Sequence, residues 1–454
     1  MLSYITFIPG VLAYLLANRR SVPFAFLRVY LPVVLLLPDY YRAITPGIPD
    51  PNFSQSAGVG LFIAYAMAGF PGFVFSATDL WVLFYAFCVG YSEYRASGYA
   101  DAQNLIFGML FGGIAPYVFA KGLIEPYGLR VVFTKVCVLC FSFVACVDVI
   151  ETRLGFNAWR WLFDRFFPGQ GQSWVTTFRF GLARAAGPYA HALLNGIMML
   201  VAFRMQRWLE WTGAWPADWP ARWRWMPIKP ARMLTLIVTG GLVFSLAKGS
   251  WLASSVGATL TAVGRVKSHR FLAMVGILSA LVLVGIPAAA GFIAYASVGR
   301  ENAKDANQET SAYRYEMIED YIDIAAQEPL WGWGLTKWPA IPGMASIDNH
   351  YLLLLLMHGR LAMVAFLYLL LGTMIRLVVY GMRQPPGGPR GGALSFTLAG
   401  IFVGYTIAIA TVFMGQQTIP MFFMLVGWAE SYMIRRTPEG GGTAIGPFNF
   451  RRVL

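Results

Sequence analysis

The residues best suited to chemistry gather in three places. The first is "SIDNHYLLLLLMHGR", residues 346–360, where Asp348, Asn349 and His350 stand directly against a leucine run. Asp or Asn there can satisfy the free N–H groups of a helix start, but capping does not call for His350. An imidazole titrates near neutrality and suits a general base. The second place is 150–186, which carries Arg153, Arg160, Arg165, Arg179 and Arg184 and no lysine. The third is 300–349, which holds nine acids against Arg300, Lys304, Arg314 and Lys337. Arginine presents a planar fork that meets phosphate oxygens two at a time. Arg153, Arg160, Arg165, Arg179, Arg184 and Arg314 are therefore the candidates for holding a phosphate compound, and His350 for accepting a proton. Asp348 is placed to orient that imidazole or to cap. Trp331, Trp333 and Trp338 can stack on sugar rings, although an interfacial aromatic belt has the same composition.

The other histidines read as structural: His269 lies in a basic cluster, and His191 and His358 fall inside apolar stretches where packing or interhelical bonding accounts for them. No second His-containing cluster stands beside "DNH" to complete a metal site, and "WGWGL" at 331–335 lacks the Lys and Ser/Thr of a phosphate loop. No metal or cofactor is expected. "CVLC" at 137–140 has redox spacing but lies in an apolar segment, so buried free thiols are expected.

The elements that must position these groups are membrane helices. The 454 residues are 57% hydrophobic and only 13% charged, too apolar for an ordinary soluble protein. Phe271–Gly299 and Ala393–Ala429 contain no Asp, Glu, Lys or Arg. Scattered Gly and Pro favour helices over a membrane barrel. The fold class is all-α: a polytopic bundle of about 12 to 13 transmembrane helices by the rule of about 20 residues per span. The first helix, with no basic n-region or cleavage site, reads as retained. The formal charge of +13 sits in short loops, where anionic headgroups explain it without nucleic acid.

Basic clusters at Arg19–Arg20, 204–232, 265–270, Arg376–Arg390 and Arg435–Arg436 mark one side as cytoplasmic. The spans then include 187–206, 271–297 and 352–375. Residues 1–436 form a single transmembrane domain, with its main outer loop at 298–351 and a second outer segment at 150–186. The tail 437–454 is cytoplasmic and disordered. Arginines in 150–186 run against the usual shortage of positive charge outside, which suggests that they bind something. In the main loop, "SAYRYEMIEDYIDIAAQ" has helical spacing at Met317, Tyr321, Ile324 and Ala325, with Thr310 or Ser311 as cap. Lying on the membrane surface, that helix would aim Arg314 at the headgroup layer.

The stretches "RYEMIEDYIDIAAQEPLWGWGL" and "IDNHYLLLLLMHGRLAMVAFLYLLLG" resemble the core motif of the bacterial O-antigen ligase and polymerase family. That motif is an arginine opening a helix, a Pro-hydrophobic-Gly-x-Gly turn, then Asn-His before a span. "IETRLGFN" at 150–157, "RAAGPYAHALLNG" at 184–196 and "SLAKGSWLA" at 245–253 are similar to its weaker motifs, so the resemblance covers about 150–380. It implies a metal-independent membrane glycosyltransferase at the periplasmic face of the inner membrane, acting on glycans carried by undecaprenyl pyrophosphate. Arg314 matches the family's loop arginine, His350 its loop histidine and Arg184 the arginine before Gly-Pro. Where the family often has Ser-Arg-Gly this chain has Ala247, Lys248 and Gly249. Lys248 keeps the charge and loses the fork. The implied site has His350 and Arg314 as catalytic residues and Arg184, Arg179, Lys248 and Arg314 on the pyrophosphate. Asp348, Asn349 and Trp333 orient groups or contact sugar. The implied partners are a lipid-linked glycan donor, a glycan acceptor, membrane lipids and a chain-length regulator. Polymerase is favoured over ligase. The rival reading is a flippase of the same lipid-linked glycans, although transporters place ionisable groups at the midplane rather than at one boundary.

Overall fold

The computed structural model describes residues 2–44, 47–171, 176–219, 225–266, 269–344, 346–384, 393–415 and 417–435. Arg222, Arg224, Lys267, Arg390, Arg436 and the expected tail at 437–454 lie outside the described residues. The structure is mostly helical. Tyr99–Leu123, Arg130–Leu154, Arg270–Ala296 and His350–Arg383 are long and apolar enough to cross a membrane, and Val22–Leu36, Phe53–Met67, Pro230–Phe244 and Leu394–Ala408 are shorter apolar helices. The all-α expectation misses one small hairpin, in which Phe178–Arg179 pairs antiparallel with Leu182–Ala183.

Hydrogen bonds between connections sort the helix ends into two groups. At one end, here the crown, Arg179 donates to the Leu246 carbonyl, Lys248 to Asn307, Gln417 to the carbonyls of Leu37 and Pro188, and the His350 N–H to Ile409. At the other end, the base, Arg435 donates to the Gly72 carbonyl and Arg270 to that of Gln384. Glycine lets the rods touch: a Cβ on Gly257 would collide with the Gly400 carbonyl, the close approach that small residues allow between apolar helices. Near the base, buried Asp79 accepts from Lys121 at 2.6 Å, and Glu430 accepts from Thr78 and Arg376, each at 2.8 Å. Pairing makes such charges tolerable in an apolar bundle.

Arg270–Ala296 is buried only at its two terminal residues. A helix with an apolar side chain facing outward at nearly every position has its solvent in lipid.

His350–Arg383 departs from the expected single span over 352–375. Gly359 has φ 70° and breaks it into two helices. The first, 350–358, stays at the crown: its start is tied to Ile409, and the carbonyls of Leu356 and Met357 accept from Trp333, Gly334 and Ser92. Leu352, Leu354 and Leu356 are buried in protein rather than lipid. After Gly359 the chain runs to the base, where Arg376 meets Glu430.

The main-loop helix begins earlier than expected, spanning Ala306–Gln327 with Asp305 as cap, accepting from the N–H groups of Asn307 and Gln308. Its Met317, Tyr321 and Ala325 pack on Leu352 and Leu356. The apolar face expected on the membrane surface is thus spent on helix 350–358, because two amphipathic faces bury more area against each other than against headgroups.

Candidate functional site

Arg184 leaves the hairpin in a segment held from below. Its neighbours Ala186 and Gly187 donate backbone N–H bonds to the buried Glu151, at 3.1 and 2.9 Å. Asn157 donates to the same carboxylate at 3.0 Å. Asn195 donates to Asp148 and to the Ala185 carbonyl. Gly187 has φ 59° and is packed against Val144 and Asp148, so the turn needs a residue without a side chain. Glu151 and Asp148 therefore organise the arginine-bearing backbone by accepting hydrogen bonds from backbone N–H and amide groups.

Arg179 lies on the adjoining strand, its Nη1 donating to the Leu246 carbonyl at 2.6 Å. Arg314 comes from helix Ala306–Gln327 and reaches the Thr411 carbonyl at 3.4 Å. The three guanidinium groups feel one another. Burial pushes Arg184 down to about 10, aided by Arg179 and Arg314 and opposed by Asp348. Burial also pulls Arg314 below the usual arginine range, with Asp348 opposing and Arg179 assisting. Among the described residues Arg184 Nε and Nη2 and Arg314 Nε are buried without a hydrogen-bond partner. Buried charged donors left unmade are costly, and an anion with several oxygens would satisfy all of them.

Lys248 stands at the rim, exposed, its Nζ 3.0 Å from Asn307 Oδ1. Asn349, not Asp348, is the cap of helix 350–358, accepting from Tyr351 and Leu352 at 3.0 and 3.2 Å. Asp348 is released from capping; its Oδ1 accepts from Ser346, and its charge acts on Arg184 and Arg314.

His350 is placed differently. It is 8% exposed, its ring packs edge-on to Phe366 at 5.2 Å, and neither ring nitrogen has a partner among the described residues. Trp333 spends its indole N–H on the Ile324 carbonyl and its backbone N–H on Leu356. Arg153 is exposed, and Arg165 lies over Trp161 at 4.0 Å.

One residue of this site escaped the sequence reading. His191 lies outside its helix as the cap of Ala192–Trp211, its Nδ1 accepting from the Leu193 N–H at 3.1 Å. Burial pushes it down to about 4, with Arg184 and Arg160 assisting and Asp348 opposing. The neutral ring then carries its proton on Nε2. The available signal was a histidine placed directly before an apolar helix, a few residues after Arg184. Among the described residues no three His, Cys, Asp or Glu side chains gather as a metal group.

No curated protein matches the chain. A family model does, over residues 233–367, described as O-Antigen ligase. The matched stretch contains Lys248, Arg314, Asp348 and His350, while Arg179, Arg184 and His191 reach the same place from outside it. In residues 233–367 this integral membrane protein carries the domain of the O-antigen ligase family, an enzyme family of glycan-transferring membrane proteins.

Proposed function

We propose that the protein transfers glycan from undecaprenyl pyrophosphate at the crown, without a metal ion, as a polymerase of repeat units. The observation that carries this reading is the set of buried, unpartnered guanidinium donors on Arg184 and Arg314, with Arg179 beside them and Lys248 at the rim. The chain crosses the bilayer about 12 to 13 times on the rule of about 20 residues per span, a reading supported by four helices of spanning length and four shorter apolar helices among the described residues. Its crown faces the periplasm of a bacterial inner membrane. Arg19, Arg20, Lys229, Arg265, Arg383 and Arg435 at the base support that orientation.

In the reaction an acceptor hydroxyl oxygen attacks the anomeric carbon, and the bond from that carbon to the pyrophosphate oxygen breaks. The electron pair leaves with the lipid pyrophosphate. Arg184, Arg314 and Arg179 stabilise the charge that develops there, so the leaving oxygen needs no proton. The hydroxyl proton passes to His350 once its ring turns from Phe366 to meet the acceptor. A second reading gives the proton to Asp348, favoured by its half-buried place among the arginines. Polymerase is preferred over ligase on the form of the "DNHYL" stretch and the modest crown loop.

The test uses purified protein in lipid with undecaprenyl-pyrophosphate oligosaccharide and EDTA, following glycan length and released lipid pyrophosphate. Longer glycans support the proposal. Loss of all product in EDTA overturns metal independence, and glycan appearing only on added lipid A core makes the protein a ligase. Labelled lipid crossing the bilayer with no bond formed makes it a flippase.

A further inference from the structure

A second cavity opens at the crown, of about 280 Å³, on the far side of the segment that joins Leu394–Ala408 to the last helix. Its polar lining includes Asp39, Arg42, Asn52, Gln55, Asp101 and Asn104, and the greater part of its surface is apolar, from residues such as Leu105 and Met109. We propose that this cavity is the subsite for the acceptor glycan, taking the uncharged sugar that supplies the attacking hydroxyl. The assignment of an acceptor role rests on the glycosyl-transfer reading above.

The chemistry of the walls separates it from the arginine cluster. One arginine faces two carboxylates, so phosphate has no reason to enter. Carboxylates accept and amide groups donate, which matches sugar hydroxyls that do both at once. Burial pushes the Asp39 carboxyl up to about 7, with the Arg42 guanidinium opposing. The volume lies just below the roughly 300–1,000 Å³ of ordinary small-molecule pockets, room for a short glycan end rather than a whole chain.

The walls are fixed before any ligand arrives. Asn52 caps Phe53–Met67 in a reciprocal box with Gln55 and donates to the Asp39 carbonyl at 3.1 Å. Gln170 holds Arg42 by both its backbone groups. Rigid donors lose little entropy on binding. The floor is built from glycine: Gly112 is buried, yet a Cβ there would meet no atom within 4 Å. A buried glycine facing open space keeps the cavity empty of protein.

The connection after Leu394–Ala408 and the helix it leads into border the two sites in turn: the Ile409 carbonyl holds the His350 N–H, the Thr411 carbonyl meets Arg314, and Ile419 and Pro420, in the first turn of the last helix Thr418–Arg435, line the cavity.

The experiment measures binding to the full-length protein in lipid nanodiscs of two probes. One is farnesyl pyrophosphate; the other is oligosaccharide released by mild acid from the host's own lipid-linked pool. Gly112→Leu adds a side chain where a Cβ meets no atom within 4 Å, and Asp101→Ala removes an exposed carboxylate at the mouth. The expected result is at least tenfold weaker oligosaccharide binding in both variants, with farnesyl pyrophosphate binding unchanged. Equal oligosaccharide binding by wild type and both variants, or none by wild type, overturns the subsite. Oligosaccharide binding that Gly112→Leu abolishes, in a wild type that forms no glycosidic bond, retains the sugar site and overturns the transfer reading instead.

Discussion

Arg184 and Arg314 arrive from unrelated segments, and the charge of one carboxylate, Asp348, acts on both. With Arg179 beside them, this cluster sets three guanidinium groups against that one carboxylate, and three of the guanidinium nitrogens are buried and unmatched. The backbone next to Arg184 is anchored by Glu151, which accepts from Ala186 and Gly187, and through Asn195 by Asp148.

Replacing Arg184 or Arg314 with alanine should cost about 10²–10³ in transfer rate, the usual effect of deleting one donor to a developing anion. Lysine at Arg184 keeps the charge and loses the fork, so it should recover only part of the rate. Single-turnover release of lipid pyrophosphate measures both. A rate within twofold of wild type for Arg184→Ala would remove it from the site.

The proton acceptor is decided by comparing His350→Ala with Asp348→Asn. Loss of a general base costs about 10²–10⁴ in rate. A loss of that size in His350→Ala, with Asp348→Asn milder, supports the imidazole; the reverse order assigns the proton to Asp348. Thermal unfolding of each variant checks that the fold is retained.

Glu151→Ala leaves the N–H groups of Ala186 and Gly187 without their acceptor and takes one of two acceptors from the Asn157 amide, which keeps the Gly187 carbonyl. Stability should fall by about 3 kcal/mol, given about 1–3 kcal/mol for each buried group left unsatisfied. Because these groups hold the Arg184 backbone, affinity for farnesyl pyrophosphate should fall as well. Unchanged affinity in folded protein would confine Glu151 to stability.

His191 links pH to folding. Its folded value of about 4 lies below the ordinary 6.5, so the unfolded chain takes up a proton first as pH falls. Stability should therefore be constant above about 6.5, decline between 6.5 and 4, and level off below. Asparagine caps a helix without titrating, so His191→Asn should flatten this part of the melting-temperature profile. An identical slope in the variant would assign the decline to other groups.

Gly359→Ala places a Cβ against the Leu330 carbonyl at a residue with φ 70°. Such strain costs about 1–3 kcal/mol. Helix 350–358 should shift off the crown, with loss of transfer and a lowered melting temperature. Wild-type activity in this variant would show that the break is not needed.

The sequence by itself determined that this is a membrane helical protein, because 57% hydrophobic content and long uncharged stretches leave lipid as the only solvent for so much apolar surface. It also singled out Arg184, Arg314 and Asp348, since scarce polar groups at the boundary of an apolar chain are conspicuous. The helix in the main loop was legible from its period, though its start was not: Asp305 and Thr310 are equally good caps on paper. Tertiary structure alone decided the rest. The leucines after His350 look the same whether they face lipid or the face of Ala306–Gln327, and only the turn at Gly359 selects the second. Period and composition report how apolar a helix face is. They do not report what covers it, so the burial of His350 against Phe366 and the arrival of His191 beside Arg184 depended on contacts between distant segments.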